Sequence, residues 1–324
     1  MTAADVLVIG AGVAGLACAR RLHDAGRSVL ILERSRGVGG RCATRRILDG
    51  LAVDHGVAFL HGSDEDFLDA LAEVPGERRD GWPHVVDGNG PPCQRGVDRD
   101  RCTTFVDGVS AFPKHLARGL SVVTEATVKA VTPGRVTLTD DRAFAAPHVV
   151  FAAAVDQTAA LVPDLPLLAP ARAVLSDLRT VPCLTVIAAY PLDTPDPGFD
   201  MGRYGGDLHV VVHDSSKRKS PSHRVLVLQA SAQASHAWMA DDPAIWSARL
   251  LALAADRLGP WAATPAWSTP HRWKYARFPG PGTNGPLLFD GFSFIGEAFS
   301  PVGGIQGAYL SGSRLAGRLL ARAQ

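Results

Sequence analysis

The feature that most restricts the fold lies near the start of the chain. Val6-Leu7-Val8-Ile9 is an unbroken apolar run, and Gly10-Ala11-Gly12-Val13-Ala14-Gly15 follows it as G-x-G-x-x-G. In this motif the first glycine permits a tight turn, the second lets the backbone approach a pyrophosphate, and the third lets the helix pack close to the strand. Gly10, Gly12 and Gly15 hold those places, and Ala14 lies in the first turn of the helix, where amide N–H groups meet phosphate charge. Apolar positions from Val13 to Ala25 recur at helical spacing, with Arg20, Arg21 and His23 on the other side. Ser28 to Leu32 is a second apolar strand. Neither strand alternates, as expected of a parallel sheet covered on both faces. Glu33 ends that strand 18 residues after Gly15 (33 − 15), where a carboxylate accepts both hydroxyls of a ribose and repels a 2′-phosphate; Arg34 follows it. The pattern predicts a dinucleotide-binding βαβ unit.

Arg36-Gly37-Val38-Gly39-Gly40-Arg41 comes next. A nicotinamide-dependent dehydrogenase has no need of glycines just past its second strand, whereas a longer cofactor does. Glu33 through Arg41 resembles the E-x-x-x-x-x-G-G-R segment of the flavin amine oxidase superfamily, and Asp54-x-Gly56 resembles the D-x-G element that follows it near the flavin ring. Phe294-Ile295-Gly296-Glu297 is similar to that superfamily's apolar strand ending in Gly-Asp or Gly-Glu, and Pro301 to Ala308 to its loop and helix start beneath the isoalloxazine. The resemblance implies FAD, held by Gly10, Gly12, Ala14, Gly15, Glu33, Arg34, Gly40, Arg41, Asp54 and Gly56, and by Gly296, Glu297, Gly304 and Ile305. Val128, in the strand pattern at 126–131, completes the candidate set. The Ser-Gly-Gly-Cys pattern of covalent flavin enzymes is missing. The five cysteines, at 18, 42, 93, 102 and 183, all precede the C-terminal flavin segment, so the FAD is expected to be non-covalent. The fold expected is α/β: an FAD-binding Rossmann-like domain of the glutathione-reductase type with a discontinuous α+β substrate domain, as in amine oxidases. Residues 1–74, 106–165 and 270–324 are assigned to the first, and 75–105 and 166–269 to the second.

Within the superfamily the chain resembles bacterial renalase-like proteins. His271-Arg272-Trp273-Lys274-Tyr275-Ala276-Arg277 is similar to their H-R-W-x-Y-A-R, Gly307-Ala308-Tyr309-Leu310-Ser311-Gly312 to their G-A-W-L-S-G, and Phe105 to Ser110 to a turn before a helix. That implies oxidation of a dihydronicotinamide isomer, with electrons passing through FAD to molecular oxygen; the sister activity takes hydride from a small amine. Both need a dry cavity on one flavin face rather than a catalytic triad. Trp273 and Tyr275 alternate with Lys274 on an expected strand and so share a face. They either wall the substrate pocket or belong to the domain core. Lys274 then points away, or towards a water near the flavin; these three are the candidate catalytic residues. Pro301-Val302-Gly303-Gly304 is richer in glycine than the renalase-like pattern, which leaves the substrate open.

Composition excludes other classes. Lys+Arg 33 against Asp+Glu 32 leaves a formal charge of +1, too balanced for a nucleic-acid platform, and 46% hydrophobic residues exclude a disordered tail protein. No aromatic residues interleave with a basic stripe. His209-x-x-x-His213 lies in a strand pattern with no completing ligand, so no metal is expected. Lys217-Arg218-Lys219 reads as a solvated loop, or as a patch that steers a phosphate-bearing substrate. There is no signal-peptide pattern and no long apolar run, so a cytoplasmic protein without a membrane span is expected.

Overall fold

The computed structural model describes residues 2–86 and 101–322. Cys93 and the rest of the 87–100 stretch, part of the expected substrate domain, lie outside the described residues.

The apolar runs pair as the glycine motif requires. A six-stranded sheet has the order Ser121–Val123, Val29–Leu32, Val6–Ile9, His148–Phe151, Phe292–Phe294, Leu287–Phe289. All neighbours are parallel except the last pair, a hairpin. Leu7, Val8, Ile31 and Val150 are fully buried, because both faces are covered. The first helix, Val13–Asp24, lies on one face beside the C-terminal helix Gly304–Arg322. These two cross closely at Gly312, where a Cβ would stand 2.1 Å from the Ala14 carbonyl oxygen, so only glycine fits.

The second six-stranded sheet has the order Trp267–Arg277, Val181–Tyr190, Arg224–Ala230, Leu208–His213, Met201–Arg203, Val85–Val86. One face is covered by helix Pro243–Leu258 through Trp246, Leu250 and Ala254. On the other face Ile187, Ala189, Val225 and Val227 pack on Ile47, Val53 and Trp82. Ile47 and Val53 belong to the hairpin Thr44–Ile47/Leu51–Asp54, which follows the Arg41 segment of the first domain. The hairpin thus carries the chain from the Arg41 segment onto the second sheet.

One boundary of the expected division changes. Residues 270–277 were assigned to the first domain, yet strand Trp267–Arg277 pairs antiparallel with Val181–Tyr190 along its length. The first sheet is rejoined only after this strand, at Leu287–Phe289 and Phe292–Phe294. The helix expected after the Phe105 to Ser110 turn is Ala111–Leu116. Arg78–Asp80 and Arg101–Phe105 join Leu60–Gly62 in a small separate sheet.

Candidate functional site

At the first helix Gly15 admits no side chain, since a Cβ would stand 2.1 Å from the Gly10 carbonyl oxygen. Gly12 is the opposite case: a Cβ there would meet nothing within 4 Å, so its Cα faces open space. The first helical hydrogen bond is donated by Leu16 N–H to Gly12, so the N–H groups of Val13, Ala14 and Gly15 precede it. No side chain caps this end and its first turn holds no acid. The end is built for a ligand carrying negative charge. The Ala14 side chain is buried against the C-terminal helix, which leaves its backbone for that role.

Glu33 is buried at the end of the second strand. One carboxylate oxygen accepts the Ala11 N–H at 2.8 Å, the other the Ser35 N–H at 2.7 Å. Each oxygen keeps a second lone pair. Ser35 and Glu33 also accept the N–H groups of Glu125 and Ala126, which brings Val128, half-buried in strand Val128–Thr132, to the same end of the sheet. Arg34 is exposed. The glycine that shapes the next segment is Gly39, absent from the expected set. It forms a bridge with Gly12, has φ +112°, and a Cβ on it would stand 2.8 Å from the Cys42 oxygen. Gly40 lies alongside, 3.6 Å from the Gly12 Cα as measured from where its Cβ would be.

Arg41 reaches across the molecule. Its guanidinium donates to Glu297 at 2.6 Å and to the Ala276 carbonyl at 3.2 Å. The other Glu297 oxygen accepts the Gly304 N–H at 3.1 Å, at the start of the C-terminal helix. Gly296 donates its N–H to the Ser311 hydroxyl. The N–H groups of Ile305 and Gln306 precede the first bond of that helix, Gly307 to Gly303, and beside Gly303 and Gly304 a Cβ would meet nothing within 4 Å. The buried Gln306 side chain accepts the N–H groups of Ser63 and Asp64, tying this helix start to the next segment.

Two expectations fail here. Asp54, expected to hold the cofactor, is fully buried, and its acceptor sites are filled by the protein. One oxygen accepts from Thr44 at 2.6 Å and Val109 N–H at 3.1 Å, the other from Lys217 and Arg218, both at 2.8 Å. Lys217 and Arg218, read as a solvated loop, are buried with it; only Lys219 is exposed. Asp214 completes the cluster, 3.1 Å from Lys217 and 2.7 Å from Arg218. Burial alone would raise the Asp54 carboxyl pKa, but the Lys217 and Arg218 charges outweigh it and hold it below the usual range. Lys217 also donates to the Ala58 carbonyl at 2.5 Å and lies over the Trp82 ring. The cluster fixes the segment after Gly56 through the Ala58 carbonyl. A run of three cations signals exposure in a sequence; the two aspartates that bury them are 163 and 3 positions from Lys217 (217 − 54 and 217 − 214), and only the fold pairs them.

Between cluster and cradle lies a cleft wall. Gly56 admits no side chain, because a Cβ would stand 2.3 Å from the Arg41 oxygen and 3.1 Å from the Trp273 ring. Trp273 donates its indole N–H to the His55 carbonyl at 3.0 Å. His55, His271 and Trp273 pack ring on ring, with centroids 4.4–5.2 Å apart. Sheet register sets Thr185 between Gln229 and His271, and Gln229 donates to the Gly56 carbonyl at 3.1 Å. Burial, reinforced by the charges of His271 and Arg45, pushes the His55 pKa down to about 4, so the imidazole is neutral at pH 7. Its Nδ1 is buried without a partner. Trp273 and Tyr275 are half-buried and share this side, whereas Lys274 is exposed, with its ammonium 5.4 Å from the Tyr275 ring centroid. Lys274 therefore does not join the cluster: strand alternation turns it outward. His55, His271, Gln229 and Thr185 were not singled out from sequence, although His271 stood in the quoted motif two positions from Trp273, on the same face.

The cradle fits FAD: open backbone at Gly12, unclaimed helix-start N–H groups, lone pairs on Glu33, and a second helix start at Gly304. The profile described as NAD(P)-binding Rossmann-like domain matches residues 8–74, and the profile described as flavin containing amine oxidoreductase matches residues 92–320, more than two thirds of the chain. The chain belongs to the flavin-containing amine oxidoreductase family. The matching stretch, 92–320, includes the C-terminal segment 294–308, which offers no cysteine for covalent attachment of a flavin. Among curated proteins it is similar to amine oxidase [flavin-containing] B of Cavia porcellus, 46% identical over 70 residues, and to (S)-6-hydroxynicotine oxidase of Paenarthrobacter nicotinovorans, 46% identical over 59 residues. Those matches cover 22% and 18% of this chain and 14% of each relative. Among solved structures it shares the fold of putrescine oxidase, with TM-score 0.76, 15% identity and 99% of both chains covered, and of cyclohexylamine oxidase from Brevibacterium oxydans IH-35A, with TM-score 0.72, 16% identity and 99% of both chains covered. Among the described residues no group of three potential ligands can hold a metal ion, and no helix is long and apolar enough to cross a membrane.

Proposed function

We propose that this chain is a renalase-like oxidase that takes a hydride from a small reduced ring, a dihydronicotinamide isomer, and delivers the electrons to molecular oxygen, giving peroxide. Bound FAD would supply the hydride acceptor and the route to oxygen. The observation that carries the reading is the wall at Gly56. The segment 271–277, which bears the renalase-like resemblance, is the strand set against the Asp54-x-Gly56 element, and His271, Trp273 and Tyr275 on it present two aromatic rings and an imidazole whose pKa burial lowers, beside neutral His55. Trp273 and Tyr275 would stack a planar substrate, and neutral His55 and His271 would orient it without taking a proton. Glu33 would hold the ribose hydroxyls, the N–H groups of Val13 to Gly15 the pyrophosphate, and those of Ile305 and Gln306 the pyrimidine edge of the ring system. Arg34 and Val128 stand near the adenosine end.

The family and the shared fold with putrescine and cyclohexylamine oxidases favour a second reading, hydride transfer from a small amine. One anaerobic stopped-flow experiment separates them. Dihydronicotinamide isomers should bleach the flavin within the dead time to seconds, while benzylamine and cyclohexylamine leave it yellow. Bleaching by the amines alone establishes the second reading; bleaching by neither removes both.

A further inference from the structure

The cleft wall carries positive charge that the proposed reaction does not use. Arg277 ends the strand that holds His271 and Trp273. The register slips there, so that Arg277 lies opposite Val181 while Trp273 lies opposite Cys183, and Arg41 holds the slipped turn through the Ala276 carbonyl. Arg277 is half-buried, with no hydrogen bond or ion pair to a described residue. It lies across the cleft side of the sheet, close enough for its charge to act on buried Cys183 and on His209 two strands further on. At the other end of the same wall Arg45, exposed on the hairpin, acts on His55 and His271. The carboxylates of the clusters described above are spent: Asp54 and Asp214 on Lys217 and Arg218, and Glu297 on Arg41. A guanidinium half out of water and without a partner costs free energy unless a ligand completes it, and planar bidentate recognition of carboxylate or phosphate is the guanidinium's particular ability.

We propose that Arg277 and Arg45 flank the ring site as an anion subsite, so that the substrate is a reduced planar ring bearing a carboxylate or phosphate group, and not a free cationic amine. The proposal rests on the ring site described above and names the group that site selects. An ammonium ion entering this wall would face two arginines and no unpaired described acid, whereas an anion is steered in.

The test uses the FAD-loaded protein and reads binding rather than turnover, through perturbation of the flavin absorbance. Benzoate, benzamide and benzylamine share one ring and differ in charge. Benzoate should bind at least tenfold more tightly than benzamide, with benzylamine weakest. Arg277→Gln should bring the benzoate-to-benzamide ratio near one and Arg45→Gln should lower it several-fold, while Arg277→Lys retains most of the preference; FAD content checks that each variant is folded. Benzylamine binding as tightly as benzoate, a ratio unchanged in both Gln variants, or no response to benzoate overturns the subsite. Carboxylate and phosphate sources separate by comparing flavin reduction by dihydronicotinate with that by dihydronicotinamide ribose 5′-phosphate. If neither bleaches the flavin while the benzoate preference holds, the reaction assignment fails and the subsite stands.

Discussion

Lys217 illustrates how one residue's meaning is set by its partners. Its ammonium is fully buried, yet Asp54, Asp214 and the Ala58 carbonyl take its donors. Removing one partner of such a buried set strands the rest, typically at about 3–5 kcal/mol. Lys217→Met should therefore lower stability by about that amount in urea unfolding, and a loss under 1 kcal/mol would show that water enters and screens the cluster. His55 gives a pH signature. Its folded pKa, about 4, lies below the unfolded value near 6.5. Below pH 6.5 the unfolded chain binds a proton that the folded one refuses, so stability falls as pH drops towards 4. The full difference is about 3 kcal/mol at one pKa unit per 1.36 kcal/mol. His148, also depressed to about 4, adds a loss in the same window, so the comparison must be between variants. His55→Gln should flatten the acid limb relative to the parent; unchanged slopes would mean that His55 is already protonated or solvated. At Trp273, Phe keeps the stacking ring but loses the bond to the His55 carbonyl, whereas Ala loses both. Flavin reduction should fall by more than tenfold in Trp273→Ala and by less in Trp273→Phe, and two normal rates would make the residue core.

Among the elements, the first helix and the glycine segment after the second strand act as one cradle. Glu33 joins them by accepting from Ala11 and Ser35 while keeping lone pairs for two hydroxyls. Loss of two charge-assisted hydrogen bonds should cost Glu33→Ala about 3 kcal/mol of FAD affinity, roughly a hundredfold. Titration of apo-protein measures it, and unchanged affinity would place the ribose elsewhere. The contact between the first and last helices depends on Gly312. A methyl there meets the Ala14 carbonyl at 2.1 Å and forces the helices apart. Overpacking of this kind costs about 1–3 kcal/mol. Because both helix starts belong to the proposed cofactor cradle, Gly312→Ala should also weaken FAD binding, a loss that a purely structural defect far from the site would not produce.

At the scale of the molecule, the two sheets are held together by charge. Arg41 spans from the cradle to Glu297 and to the substrate-side strand, and Asp54 carries the hairpin onto Lys217 and Arg218. Cofactor affinity and domain closure should be coupled through Arg41, since the same guanidinium touches both sides. With FAD at a hundred times its dissociation constant, linkage adds about 2.7 kcal/mol to stability. The melting temperature of apo-protein should thus rise on adding FAD. Acid precipitation should release all the yellow cofactor to the supernatant; flavin retained in the pellet would mean a covalent bond.

The sequence by itself determined the nucleotide half. Gly10, Gly12, Gly15 and Glu33 are local in the chain, and their roles follow from backbone sterics and short-range spacing that no distant contact changes. The alternation of Trp273 and Tyr275 about Lys274 is local in the same way, and it lies in a strand, Trp267–Arg277. What only the tertiary structure decided depends on pairs far apart in the chain. Lys217 and Arg218 are buried because Asp54 meets them, and Lys274 turns outward because the register with Val181–Tyr190 sets its strand's faces. A buried charge differs from a solvated one only by its partner, and the partner is chosen by packing.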